Sequence, residues 1–254
     1  MILRKWEKLP PEMQCDEVRK YYDALKSKRA SLILKRLFDI IVSLLMLIIL
    51  CPVFLVIAIA IKADSKGPVF YRQVRVTQYN ENFRIFKFRS MVQDADKGSL
   101  ITVRSDSRVT RVGRFIRKTR LDELPQLIDI LRGKMTFVGT RPEVRKYVDG
   151  YTPEMMATLL LPAGVTSLAS IFYKNESELL KDTSDTDKTY MEEVLPEKMA
   201  YNLKAIEDFG FFKEIKLMFM TVLAVMGKEY KDDVADHRSE VLNAEQNKEK
   251  VTTE

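Results

Sequence analysis

The sequence predicts an α+β fold, mainly helical, in which a membrane helix–break–helix segment is joined to a cytosolic domain with one β-hairpin and amphipathic interfacial helices. Three observations predict it. Ile40–Ile61 is a run without a single charge. Val69–Arg75 and Phe83–Arg89 are β-branched and aromatic runs on either side of the turn-like Gln78–Asn82. Apolar residues then recur at helical spacing in Val112–Arg120, Leu124–Leu131 and Tyr201–Met226. The chain has 254 residues, 46% hydrophobic and 31% charged, which is enough for a core and too apolar for disorder throughout. Its one histidine, His237, lies in a polar tail, so histidine-based triads and His-rich metal sites are excluded. Cys15 and Cys51 sit in unlike contexts and no Cys-x-x-Cys occurs, which argues against disulfides, iron–sulfur clusters and structural zinc. The nine glycines are scattered, so there is no phosphate-cradling glycine loop.

Residues 1–32 read as a polar N-terminal extension, with Trp6, Tyr21 and Tyr22 as interfacial anchors. Residues 33–66 form the membrane segment. As a helix the uncharged run is roughly 33 Å long, close to the thickness of a bilayer's hydrocarbon core. Cys51 and Pro52 mark a break past its middle, since proline removes a backbone hydrogen bond and clashes with the preceding turn. Ser43 is a candidate partner for the carbonyl this frees. Basic residues flank both ends, Lys35 and Arg36 before and Lys62 and Lys66 after, so both ends carry the cytoplasmic signature. On these residues alone, a hairpin that dips into one leaflet and a spanning helix stand level. Asp39, three residues after Arg36, can pair with it on one helix face.

Residues 67–227 form the cytosolic domain and 228–254 a charged, disordered tail. Gly67-Pro68 ends the membrane segment, and Val92–Ser107 is a polar loop. In Leu124–Leu131 the apolar residues share one face, and Gly133 follows as a C-cap candidate. Tyr201–Met226 reads equally as an interfacial amphipathic helix or a core helix; its uncharged part, Leu217–Met226, is too short to span.

Charge is concentrated. Residues 62–150 hold 20 Lys/Arg against 10 Asp/Glu, a local +10 in a chain of net +6. That field suits a polyanionic partner: an anionic membrane, a phosphorylated small molecule or nucleic acid. Asp122 and Glu123 follow Arg117, Lys118 and Arg120, and Pro125 places the pair near a helix start, where cations and the helix dipole both lower a carboxyl pKa. Such carboxylates beside cations suit nucleophilic attack at phosphorus, with Mg²⁺ bridging carboxylate and phosphate oxygens. Lys87 and Arg89, two apart on a strand, share a face and can reach one phosphate. Arg141, held extended before Pro142, is posed for a bidentate phosphate contact.

In order, KRLFDIIVSLLMLIILCPVFLVIAIAIK, GPVFYRQVR, KFRSM and TRLDELPQLIDILRGKMTFVGTRPE resemble the bacterial sugar transferase family, the monotopic phosphoglycosyl transferases, over roughly residues 33–227. The resemblance implies a re-entrant membrane hairpin and the compact form, with no multi-helix membrane domain before residue 33. It implies transfer of a phosphosugar from a UDP-sugar to a polyprenyl (undecaprenyl) phosphate at the cytoplasmic face of a bacterial inner membrane, opening a glycan or exopolysaccharide assembly pathway. Asp122 is then the nucleophile, and Glu123 helps position the metal or the incoming phosphate. Mg²⁺ is the cofactor, with Asp122 and Glu123 as its ligands, and Lys87, Arg89, Arg117 and Arg141 contact phosphate. The bilayer, the donor and the acceptor are the partners; nucleic acid is not expected, and homo-oligomerisation is left open. Two stretches depart from the family pattern. Thr140 replaces the first proline of Pro-Arg-Pro, and Leu161–Ser170 lacks an arginine, a glycine and a glutamine common there. The transferred sugar therefore stays open. The alternative is a catalytically inactive membrane-anchored adaptor for anionic lipid or nucleic acid; Asp122 and Glu123 discriminate, since a binding module needs no carboxylate pair amid cations.

Overall fold

A computed structural model describes residues 2–93, 108–172, 186–228 and 230. The expected tail beyond 230 and most of the expected loop, 94–107, lie outside the described residues. The uncharged run folds as two helices, α2 (Arg29–Ile49) and α3 (Cys51–Asp64), bent by 61° at Leu50. Pro52 sits in the first turn of α3, where its missing N–H has no helical partner to lose, so the break comes without a broken helix interior. Ser43 donates instead to Ile40 O at 3.2 Å, one turn back in α2, and not to a carbonyl at the break. Among the described residues no single helix is long and apolar enough to cross a membrane, whereas the bent pair passes that test together, in the shape of a re-entrant hairpin. Ile41, Leu45, Ile48, Leu55, Val56 and Ile59 are exposed on its outer surface.

The inner face of α2 differs. Lys35, Asp39 and Ser43, spaced by one helical turn, are all buried. Lys35 Nζ donates to Val138 O and to Glu214 Oε2, both at 2.7 Å. Asp39 accepts from Thr136 Oγ1 at 2.7 Å and from the Phe137 N–H at 3.3 Å. Arg36 donates to Ile130 O at 2.7 Å and Leu131 O at 2.9 Å, two carbonyls at a helix C-terminus. The expected Arg36–Asp39 pair is thus replaced by bonds from each to the cytosolic domain. A buried charge needs close partners, and backbone groups of a neighbouring element supply better geometry than a helix neighbour.

The hairpin is β1 (Phe70–Thr77) antiparallel to β2 (Glu81–Phe88), with Phe70 opposite Phe88 and Thr77 opposite Glu81. Its turn tightens to Gln78–Asn80, where Tyr79 and Asn80 both take positive φ. The stretch after it folds as α4 (Arg111–Lys118), a 3₁₀ turn Leu121–Glu123, and α5 (Gln126–Leu131). Thr110 caps α4 by accepting from Gly113 N at 2.9 Å, and Asp64, at the end of α3, accepts from Val112 N at 2.9 Å. Gly133, at φ +79°, closes α5: its N–H reaches Ile130 O, and the next N–H reaches Asp129 O.

A second sheet, not predicted, pairs β3 (Met135–Val138) parallel to β4 (Ala163–Thr166). It depends on two glycines in backbone contact, since a Cβ on Gly164 would lie 2.2 Å from Gly139 N. After α6 (Arg145–Val148) and α7 (Leu168–Phe172), the chain continues through α8 (Thr186–Thr189) and a π-turn into α9 (Leu195–Glu207) and α10 (Phe211–Val225). On α10, Phe212, Phe219, Val222 and Val225 are exposed, while Phe211 meets Phe38 of α2 edge-on with ring centres 5.9 Å apart. No residue of α10 is buried, which disagrees with the core-helix reading of that segment. The N-terminal segment is less peripheral than its polarity suggests: Leu9, Met13, Tyr21, Tyr22 and Leu25, the last three on α1 (Asp16–Ser27), are buried in one cluster with Leu160 and Ile206. The two tyrosines pack in the core and not at an interface.

Candidate active site

Three elements converge on one carboxylate. β2 presents Lys87, the 3₁₀ turn presents Asp122 and Glu123, and the extended chain after β3 presents Arg141. Lys87 Nζ lies 3.0 Å from Glu123 Oε1. Arg141 grips the same carboxylate with both terminal nitrogens, Nη2 on Oε1 and Nη1 3.4 Å from Oε2, and Nη1 also reaches Val165 O of β4. Burial alone would push the Glu123 carboxyl up, but Arg141 and Lys87 outweigh it and hold the group well below the usual carboxylate range. Glu123 is therefore a fixed anion whose role is met by two fixed cations.

Asp122 is in the opposite state. Burial pushes its carboxyl up, the Glu123 charge adds to the rise, and Lys87, Arg117 and Arg120 only partly oppose it. The expectation that the cations lower both carboxyls holds for Glu123 alone. Among the described residues Asp122 makes no hydrogen bond or ion pair comparable to those of Glu123. The pair also does not sit on the first turn of an α-helix: α5 starts three residues after Glu123, with Pro125 as its N-cap. Asp122 is thus the more basic carboxylate of the two, without a hydrogen bond among the described residues and under the influence of Arg117 and Arg120.

The other predicted residues fall in different places. Arg117 is on the last turn of α4, close enough to act on Asp122 electrostatically. Arg89 is buried against the exit of α3, donating from Nη2 to Ser65 O at 2.7 Å and Ser65 Oγ at 2.8 Å, so it does not join Lys87 on Glu123. Cys51 and Pro52 mark the helix break. Sequence reasoning missed Arg75, half-buried beside Arg141 and Glu143, and its position in β1 facing the Arg-Pro turn carried no distinguishing signal. It also missed Val165, whose contribution is a backbone carbonyl. No group of three or more His, Cys, Asp or Glu side chains occurs among the described residues. Two adjacent carboxylates do suit Mg²⁺, which is often held by one or two carboxylates while substrate phosphates and water fill its octahedron.

A bent apolar helix pair is thus pinned to a basic domain that carries two adjacent carboxylates amid cations. The chain belongs to the bacterial sugar transferase family, whose pattern it matches over residues 30–228. It is 37% identical over 197 residues to a UDP-glucose:undecaprenyl-phosphate glucose-1-phosphate transferase of Klebsiella pneumoniae, covering 76% of this chain and 40% of that protein. It is 36% identical over 219 residues to an undecaprenyl-phosphate galactose phosphotransferase of Salmonella typhimurium, covering 80% and 42%. An uncharacterized sugar transferase of Bacillus subtilis is 30% identical over 199 residues, covering 78% of this chain and 90% of that one. The chain thus spans about two fifths of the length of the first two of these relatives.

Proposed function

We propose that this chain is a phosphoglycosyl transferase that moves a sugar 1-phosphate from a UDP-sugar to undecaprenyl phosphate, at the cytoplasmic face of a bacterial membrane, as the first step of a glycan assembly pathway. The observation that carries the reading is the contrast within one dipeptide: Glu123 fully paired with Lys87 and Arg141, Asp122 beside it raised in pKa and underbonded. The family supports it, and so do the names of the relatives, which share the lipid acceptor and differ in the sugar. In this reading residues 33–66 are the membrane hairpin and 67–227 the transferase domain.

Asp122 attacks the sugar-bearing phosphorus of the donor. A bond forms from its carboxylate oxygen to phosphorus, the phosphoanhydride bond breaks, and UMP leaves with the electron pair. In the second step a phosphate oxygen of the lipid acceptor attacks the same phosphorus and the acyl-phosphate bond breaks, restoring Asp122 and yielding a lipid diphosphosugar. Arg117 and Arg120 flank the approach and offset phosphate charge; Arg141 and Lys87 keep Glu123 ionised and in place. Asp122 and Glu123 are the residues that would hold Mg²⁺, which when bound would supply further neutralisation of phosphate charge.

Incubation with a panel of UDP-sugars and no acceptor tests the mechanism. Intact-mass spectrometry should find one sugar-phosphate adduct, lost in Asp122→Asn together with UMP release; UMP release at the wild-type rate by that variant would refute the assignment. Single-cysteine labelling in intact cells tests the topology, and a label from outside on either flank of the hairpin contradicts the re-entrant arrangement.

A further inference from the structure

A cavity of about 390 Å³, lined by none of Lys87, Asp122, Glu123 and Arg141, lies between α9, the start of α10 and the end of β3. That volume is within the range of small-molecule pockets, roughly 300–1,000 Å³. Its walls are chiefly hydrocarbon: Leu161, Leu168, Ile206, Phe209, Leu217 and Met220. Two features separate it from a packing defect. The first is Asn202, a lining residue that is 4% exposed and whose Oδ1 has no hydrogen-bond partner among the described residues. A buried amide left unpaired costs free energy unless something in the cavity meets it. The second is charge. Of the five ionised side chains in the lining, Glu214 is paired with Lys35 and Lys213 with Asp208. Lys204 and Lys216 remain, and neither makes an ion pair among the described residues.

The location selects the occupant. α10 packs against membrane helix α2 through Phe211 and Glu214, and its exposed Phe212, Phe219 and Met226 lie on the face adjoining the one that lines the cavity. A helix with apolar residues outward and lysines beside them rests in the headgroup zone, so the cavity lies at the level of the bilayer surface. We infer that it binds one anionic phospholipid of the leaflet, an acyl chain lying along the apolar wall, a headgroup hydroxyl donating to Asn202 Oδ1, and the phosphate meeting Lys204 and Lys216. Such a site fastens α10, and through Glu214 the helix α2, to the membrane plane.

The test uses the full chain, reconstituted in nanodiscs of equimolar phosphatidylglycerol and phosphatidylcholine, extracted in mild detergent and read by native mass spectrometry. No donor sugar is present, so the readout is independent of turnover and Asp122→Asn should behave as wild type. Wild type should retain one phosphatidylglycerol per chain. Ala205→Phe, which fills the cavity from α9, should lose it at unchanged circular dichroism. Lys204→Ala with Lys216→Ala, a change that leaves the apolar wall intact, should cut the preference for phosphatidylglycerol by about fivefold per lysine. Absence of retained lipid in wild type, full retention by folded Ala205→Phe, or equal retention of the two phospholipids by wild type overturns the inference. Added polyprenyl phosphate should leave the phospholipid bound; stoichiometric displacement would assign the cavity to the acceptor and overturn the phospholipid assignment.

Discussion

Two charged clusters lie on either side of β3, and they are built to opposite ends. At the foot of the membrane hairpin, Lys35, Arg36 and Asp39 each find partners: Glu214 and Val138 O, two carbonyls of α5, and Thr136 with the Phe137 N–H. At the carboxylate pair, Lys87 and Arg141 close on Glu123 in the same way, but Asp122 is left with a raised pKa and only long-range cations. A charge buried for structure is fully satisfied, because an unpaired one costs several kcal/mol. A charge kept for chemistry retains an unused oxygen, and the satisfied neighbours carry the cost of holding it there. The hairpin cluster therefore reads as an anchor and the Asp122 cluster as a reaction site, though both mix lysine, arginine and carboxylate.

Substitutions that treat the two clusters alike should separate them. The largest effect belongs to Asp122→Asn, which should lower turnover by about 10³–10⁶-fold, as loss of a nucleophile does, while the melting temperature stays near wild type because few bonds are lost. Glu214→Ala should do the reverse. It leaves Lys35 buried without a counter-charge, with only Val138 O as partner, and should cost about 3–5 kcal/mol of stability in chemical denaturation, and a Lys35→Met, Glu214→Leu double variant should recover most of the loss. Asp39→Ala, which strands the Phe137 N–H and the Thr136 hydroxyl, should cost about 1.5–3 kcal/mol, a charged acceptor being lost from two donors. If Asp122→Asn proves as destabilising as Asp39→Ala, the contrast between the clusters fails.

The smallest effect sharpens the comparison through pH. Attack requires Asp122 ionised, so kcat/KM should fall as pH drops through its pKa, which burial and Glu123 place above the ordinary aspartate value. Arg117 opposes that rise. Arg117→Gln should then move the acidic limb of the kcat/KM profile a fraction of a unit to higher pH, the carboxylate having lost a stabilising cation. An acidic limb that stays in place or moves lower removes Arg117 from the surroundings of Asp122.

The hairpin break, the β1–β2 pair and the two carboxylates were legible because each depends on neighbours in sequence: proline geometry, alternating β-branched residues around a turn, cations within a few positions of Asp122. Glu214 gave no such sign. It stands in the sequence as one charge among Lys213 and Lys216 on an amphipathic helix, yet it is the partner of Lys35, 179 residues away. Arg36 likewise reads as a membrane-flank cation and turns out to close α5, 94 residues on. Arg89 stands two residues after Lys87 but just beyond the end of β2, where its guanidinium packs against Gly67 and donates to Ser65.

What the sequence determined on its own was local: which segment is apolar throughout, where it breaks, and that two adjacent carboxylates stand among cations. Hydrophobicity and local sterics act over a few residues, so they are written where they act. Which carboxylate is neutralised and which stays basic was decided only by tertiary structure. Asp122 and Glu123 are chemically near-equivalent neighbours, and it is β2 and the chain after β3, converging from distant parts of the sequence, that deliver their cations to one of the two.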